Sequence, residues 1–162
     1  MRPRVYLETS IVSYLAAHPS GDLVTAAHQR ITHQWWRTAD RHFEIFLSQV
    51  VLDEAAAGDP EAAARRLALV AKLPLLGINP EVARFAAALL ARVPLPPKAG
   101  ADAVHIAAAA YHRMDFLLTW NCSHIANARL RPRIEGICRD LGASAPVLCT
   151  PEELASEEDD DE

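Results

Sequence analysis

The chemistry this sequence can offer rests on the carboxylates of Glu8, Glu54 and Asp102 and the side-chain amide of Asn121. These residues are remote from one another in the chain, yet they occupy related places. Glu8 directly follows a short apolar run, and Asn121 follows another that ends near Thr119. Glu54 lies on a helical segment after a second apolar run, and Asp102 opens an alanine-rich helical segment. Carboxylates gathered at one place repel one another and resist ionisation unless a cation sits between them. Mg2+ or Mn2+ meets that need, because hard cations prefer oxygen ligands and usually retain several waters. The centre is then expected to be hydrolytic, with the ion lowering the pKa of a coordinated water and polarising a phosphodiester. No covalent nucleophile is required.

Each residue also has an ordinary reading. Glu54 beside Asp53 is typical helix-surface charge, Asp102 complements a helix dipole, and Asn121 suits a turn after a strand. Glu8 is harder to dismiss, since an acid between an apolar strand and an apolar helix is expected to be partly buried, and buried carboxylates have partners. Around these residues, Thr9, Ser10 and Thr119 are expected to hold the acids by hydrogen bonds, with capping and turn formation as the alternative. His105 lies one helical turn beyond Asp102 and either faces the site or fills the core.

Short apolar runs alternating with helical patterns supply the elements that must position these side chains. Strands are expected over 5–7, 43–47, 73–78, 116–118 and 146–148, the third being the weakest. Helices are expected over 10–17, 22–40, 50–56, 61–72, 81–92, 101–113 and 133–141, with a last short one starting at Thr150. Asn79-Pro80-Glu81 places a cap before a first-turn proline, and Gly58-Asp59-Pro60-Glu61 ends one helix and begins another. Pro94, Pro96 and Pro97 make a stiff connection. Strand–helix alternation of this kind predicts three α/β/α layers around a central, mostly parallel sheet of about five strands. In such sheets, the carboxyl ends of the strands and the starts of the following helices share one edge, where ligands bind.

With 162 residues, 51% of them hydrophobic, the chain suffices for one domain with its own core. The folded domain is expected over 1–155 and a disordered acidic tail over 156–162. Residues 157–162 are all acidic and account for the whole excess of acid behind the net charge of −5, so the body is nearly neutral. The longest apolar stretches fall short of the roughly 20 residues that span a bilayer, and the start lacks a secretory pattern, so a cytoplasmic protein is expected. Cys122, Cys138 and Cys149 suit reduced thiols better than a disulfide framework, and no second Cys or His completes a zinc site around Cys122 and His124. Neither an Asp-x-Asp motif after the first strand nor a Gly-rich phosphate loop is present, which disfavours the common α/β phosphatases.

The motifs taken together resemble those of the PIN-domain family, and in particular VapC-like toxins of type II toxin–antitoxin pairs. Tyr6-Leu7-Glu8-Thr9-Ser10-Ile11-Val12 resembles the opening motif, and Ser48-Gln49-Val50-Val51-Leu52-Asp53-Glu54 the second. Ala101-Asp102-Ala103-Val104-His105-Ile106-Ala107-Ala108-Ala109 is similar to the third, and Phe116-Leu117-Leu118-Thr119-Trp120-Asn121 to the fourth. The ending Val147-Leu148-Cys149-Thr150-Pro151-Glu152-Glu153-Leu154 fits as well. The resemblance implies a divalent-metal-dependent endoribonuclease in which Glu8, Glu54, Asp102 and Asn121 hold Mg2+ or Mn2+ and hydrolyse RNA. Two positions depart from the pattern, since Glu8 and Asn121 both stand where Asp is commoner. The alternative is therefore a catalytically weakened PIN-like module that binds RNA or protein.

Arg129, Arg131 and Arg133 follow the fourth motif and are candidates for phosphate contacts, against a plain surface role. The resemblance further implies a homodimer and a small antitoxin as partners. Leu23, Val24, Ile31, Trp35 and Trp36 on one helix, with Val82, Phe85, Leu89 and Leu90 on another, offer apolar stripes for such contacts or for the monomer core. For Trp35 and Trp36, packing is favoured over stacking on RNA.

Overall fold

The structure is a computed structural model and describes residues 1–155; the expected acidic tail lies outside the described residues. Its strands are β1 (Arg4–Leu7), β2 (Glu44–Ser48), β3 (Leu75–Leu76), β4 (Phe116–Leu118) and β5 (Val147–Cys149). Among the described residues the α-helices are α1 (Thr9–Ala16), α2 (Leu23–His42), α3 (Gln49–Ala55), α4 (Pro60–Val70), α5 (Pro80–Arg92), α6 (Gly100–Tyr111), α7 (Arg131–Asp140) and α8 (Pro151–Leu154).

Local chemistry sets most of the helix starts. Asp22, Asp59, Asn79 and Thr150 each accept a backbone N–H from the first turn, and Thr150 with Glu153 forms a reciprocal capping box. Prolines stand in the first turns of α4, α5 and α8, where their missing N–H costs nothing. The segment rich in proline between α5 and α6 forms a short 3-10 turn over Pro97–Ala99.

The sheet is wholly parallel with strand order β3-β2-β1-β4-β5. Val5 registers with Ile45 on one side and Phe116 on the other, and Leu118 registers with Cys149. Alternation along the strands divides the interior between the two faces. Tyr6, Leu117 and Leu148 point to a core shared with α5, α6 and α7. Val5, Leu7, Ile45, Leu118 and Cys149 point to a second core with Ile11 and Leu15 of α1 and Trp35 of α2. The expected three-layer arrangement is thus present, and all its strands run one way. Alanines 103, 107 and 110 of α6 are fully buried, and such small side chains let α6 approach α5 and the sheet closely.

β3 is shorter than the expected 73–78. Leu73 N–H still bonds Val70 at the end of α4, and Pro74 has no N–H for the ladder, although its carbonyl accepts from Leu47. Beyond β3, the Gly77 carbonyl turns to the His112 imidazole at 2.7 Å. The stripe Val82, Phe85 and Leu89 on α5 is buried in the monomer core, as is Trp35 of α2. Leu23 and Val24, at the start of α2, remain exposed. No helix among the described residues is long and apolar enough to cross a membrane.

Candidate active site

The chain leaves β1 for β2 and β3 on one side and returns to β4 and β5 on the other, so β1 and β4 flank the point where the winding reverses. The carboxyl ends of two such strands diverge into a crevice suited to a ligand. Glu8 stands at the end of β1, and Thr119, Trp120 and Asn121 stand at the end of β4.

Glu8 is the N-cap of α1, which is why that helix starts at Thr9, one residue before the position expected from the pattern. Its carboxylate accepts from Ser10 N–H at 2.9 Å, from Ser10 Oγ at 2.6 Å and from Thr119 Oγ1 at 2.5 Å. Only 6% of Glu8 is exposed, and these donors compensate for the lost hydration. The same hydroxyls lock the loop after β4: Ser10 Oγ accepts from Trp120 N–H at 2.8 Å, and Thr119 Oγ1 accepts from Asn121 N–H at 2.9 Å. Ser10 and Thr119 therefore hold both the acid and the strand end beside it.

Glu54 projects from α3 toward the same edge. Its Oε1 accepts from Thr9 Oγ1 at 2.8 Å and lies 2.5 Å from His105 Nε2. Burial pushes this carboxyl up, but the hydrogen bond and charge of His105, with the Thr9 hydroxyl, outweigh it and leave Glu54 below its ordinary value. His105 is fully buried. Its other nitrogen, Nδ1, lies 2.6 Å from the Tyr6 hydroxyl, which in turn lies 2.8 Å from Ser48 Oγ. Burial pushes the Tyr6 hydroxyl far above its ordinary range, the Ser48 hydrogen bond acts against this, and the charges of Glu8 and Glu54 add to it.

Asp102, in the first turn of α6, accepts from Asn121 Nδ2 at 3.1 Å and lies 2.8 Å from His124 Nδ1. The Asn121 carbonyl oxygen of the side chain accepts from His124 N–H at 3.0 Å, so this residue builds the turn after β4 as well as reaching Asp102. Its expected reading as a turn former is met, and the same side chain brings its amide to Asp102.

The four sequence-selected residues thus stand along one sheet edge. Glu8 connects through Thr119 to Asn121 and on to Asp102, while Thr9, next to Glu8, connects to Glu54. Glu54 and Asp102 each pair with a histidine, His105 and His124 respectively. Among the described residues no three His, Cys, Asp or Glu side chains are grouped so as to hold a metal ion. The donor chemistry nevertheless fits a hard divalent cation, because three carboxylates offer oxygen lone pairs beyond those their hydrogen bonds occupy.

Tyr6 and Ser48 join the site without having been picked out in the sequence, and His124, weighed there only as half of a zinc site, joins through Asp102. The phenol of Tyr6, in an otherwise apolar core strand, was a usable signal, since a buried tyrosine hydroxyl seeks a partner. Trp120 stands beside the edge, stacked on His28 with ring centroids 3.9 Å apart and donating from its indole to Thr32 at 2.7 Å. Arg129 and Arg133 are exposed. Arg131 is instead turned inward, donating to the Leu148 carbonyl at 3.0 Å and to Glu153 at 3.3 Å, so its guanidinium ties α7 to β5 and α8.

No family model and no curated protein matches the chain by sequence. Its fold is similar to that of a chain in the crystal structure of VapBC2 from Rickettsia felis bound to a DNA fragment from their promoter, with a TM-score of 0.56 and 13% identity. The superposition covers 80% of this chain and 92% of that one. Coverage so nearly complete, at so low an identity, shows likeness of fold: a PIN-like three-layer architecture around an all-parallel sheet.

Proposed function

We propose that this protein is a divalent-metal-dependent endoribonuclease, the VapC-like toxin of a toxin–antitoxin pair. The observation that carries the reading is the hydrogen-bonded row of Glu8, Glu54 and Asp102 along the edge where the sheet reverses its winding. The motif resemblance and the likeness to a VapBC2 chain support it. Glu8 and Asp102 would chiefly hold Mg2+ or Mn2+, supported by Glu54 and Asn121. When bound, such an ion supplies a water of lowered pKa and polarises the phosphodiester. Ser10 and Thr119 aim the Glu8 carboxylate by donating to it, and Thr9 donates to Glu54. The row of acids also repels the RNA backbone, so counter-charge at the edge is a condition for substrate approach. A small antitoxin and a second copy of the chain are the partners this reading implies.

One observation favours a catalytically weakened, PIN-like binding module instead. Asn121 turns its amide nitrogen toward Asp102, and its oxygen, the atom that would face a metal, accepts from His124. Purified protein assayed on mixed RNA separates the two readings. The nuclease requires cleavage that depends on Mn2+ or Mg2+, stops with EDTA, and is abolished by Asp102→Asn. Cleavage indifferent to both treatments would remove the mechanism, and RNA binding without cleavage would establish the module.

A further inference from the structure

We infer that His105, backed by Tyr6 and Ser48, is a positioning residue that aims the Glu54 carboxylate toward the metal. This rests on the nuclease reading above and assigns a role to residues that the reading does not itself require. A histidine in the middle of α6 is at first sight misplaced. Ala103, Ile106 and Ala107 around it are wholly buried, and so is the ring itself. A polar side chain in such a setting is retained when both ends are satisfied, and here each end reaches a different element. Nε2 meets Glu54 on α3 at 2.5 Å, and Nδ1 meets the Tyr6 hydroxyl on β1 at 2.6 Å.

The network then closes on the helix where it began. Tyr6 meets Ser48 at 2.8 Å, and Ser48 is the N-cap residue of α3, the helix that carries Glu54. Both ends of α3 are therefore tied to one phenol–imidazole pair, and the pair is itself fixed by β1 and α6. An ionised carboxylate only accepts, so His105 donates through Nε2. With a neutral ring, Nδ1 accepts from the Tyr6 hydroxyl, whose oxygen accepts from Ser48; with a charged ring, Nδ1 donates to the Tyr6 oxygen and the Tyr6 hydroxyl donates to Ser48. Every hydrogen bond has a donor and an acceptor, and the ring cannot rotate without breaking two of them. Thr9 donates to the same Glu54 oxygen at 2.8 Å, so two donors from different elements converge on Oε1. Such outer partners orient a ligand and raise its affinity for the ion, and losing one typically costs about 10- to 100-fold in metal affinity or activity.

Mn2+ binding to the metal-free protein, followed by calorimetry or by the spin-resonance signal of the free ion, tests this without recourse to catalysis. His105→Leu fills the space without donating and is expected to weaken Mn2+ binding about 10- to 100-fold. His105→Gln, which can place an amide donor near the Nε2 position, is expected to recover much of that loss. In a Glu54→Ala background, His105→Leu should change the affinity no further, because its effect passes through Glu54. A general packing role would leave the affinity intact in His105→Leu or would add its loss to that of Glu54→Ala, and either result overturns the assignment. Should His105→Leu fail to fold, Tyr6→Phe keeps the ring and removes only its hydroxyl, and an unchanged Mn2+ affinity there would overturn it as well. Failure of the underlying reading looks different: the wild-type protein itself would neither bind Mn2+ nor cleave RNA, and the positioning role would fall with it.

Discussion

Glu8 gives up nearly all its contact with water, and what makes this tolerable is the pair of hydroxyls that face it, Ser10 and Thr119. Thr119→Val keeps the shape of the side chain and deletes the donor. We expect it to lower stability by about 1–3 kcal/mol, the usual cost of a buried polar group left without its partner, and to reduce RNA cleavage more than RNA binding. Denaturant melts beside cleavage and binding assays check this, and a variant as stable and active as wild type would show that Glu8 is held without Thr119. Asn121 poses the opposite question. Asn121→Asp removes the amide that donates to Asp102 and puts a second carboxylate 3.1 Å from the first. Repulsion between like charges should lower the melting temperature in EDTA, while the added ligand should raise Mn2+ affinity. Thermal melts with and without Mn2+ therefore have to move in opposite directions; a shift of the same sign in both would mean that Asn121 serves the turn alone.

The elements show why some of this was legible in the sequence and some was not. Caps are local, so Asn79 with Pro80 and Asp59 with Pro60 announced α5 and α4 from a few adjacent residues. β3 depends on which strand it meets and on where Pro74 falls in the ladder, and its expected six residues shrank to Leu75–Leu76. Glu8 was legible as an acid with a purpose, but its service as the cap of α1 was not, since glutamate seldom caps and is held here by Thr119, remote in the chain. His105 could be placed one turn from Asp102 by counting, whereas its partners Tyr6 and Glu54 come from elements that only the fold brings near. Arg131 reads in the sequence like its neighbours Arg129 and Arg133, yet the packing of α7 against β5 turns it inward. The apolar stripe of α5 was equally consistent with a core or an interface, and burial of Leu89 assigns it to the core. Leu89→Ala should accordingly cost about 2–5 kcal/mol in a denaturant melt. Cleavage per folded molecule should stay unchanged, since α5 carries none of the acids; a loss of specific activity in folded protein would instead link α5 to the site.

At the scale of the whole molecule, alternation along the strands sends one set of side chains to each face, and both faces bury thiols: Cys138 of α7 lies in one core and Cys149 of β5 in the other. Burial pushes the Cys138 thiol up to about 11 and the Cys149 thiol up to about 12, while Cys122 is exposed and shifted upward as well, first by partial burial and then by the charge of Glu153. Thiolates are the reactive form, so at neutral pH the two core cysteines are shielded both by access and by protonation. A thiol reagent applied to the native protein should modify Cys122 alone, and unfolding should release the other two. The same shifts fix how the fold responds to alkali. A group whose pKa is higher in the folded state keeps its proton there while the unfolded chain loses it, so above the ordinary thiol value of 9.0 the unfolded state binds fewer protons. Stability contributed by the two thiols is then complete below that pH and falls as pH rises toward 11 to 12. Other groups titrate in the same range, including Tyr6, whose hydroxyl is also pushed up by burial, and the comparison must isolate the thiols. Replacing Cys149 by Ala removes one thiol from this balance at the cost of a small cavity. The variant is expected to be less stable than wild type at pH 7, and the gap between them should narrow steadily above pH 9 as the wild-type protein loses what the variant never had. Urea melts at intervals across that range measure the gap, and a difference constant from pH 7 to pH 11 would mean that Cys149 titrates alike in the folded and unfolded chain.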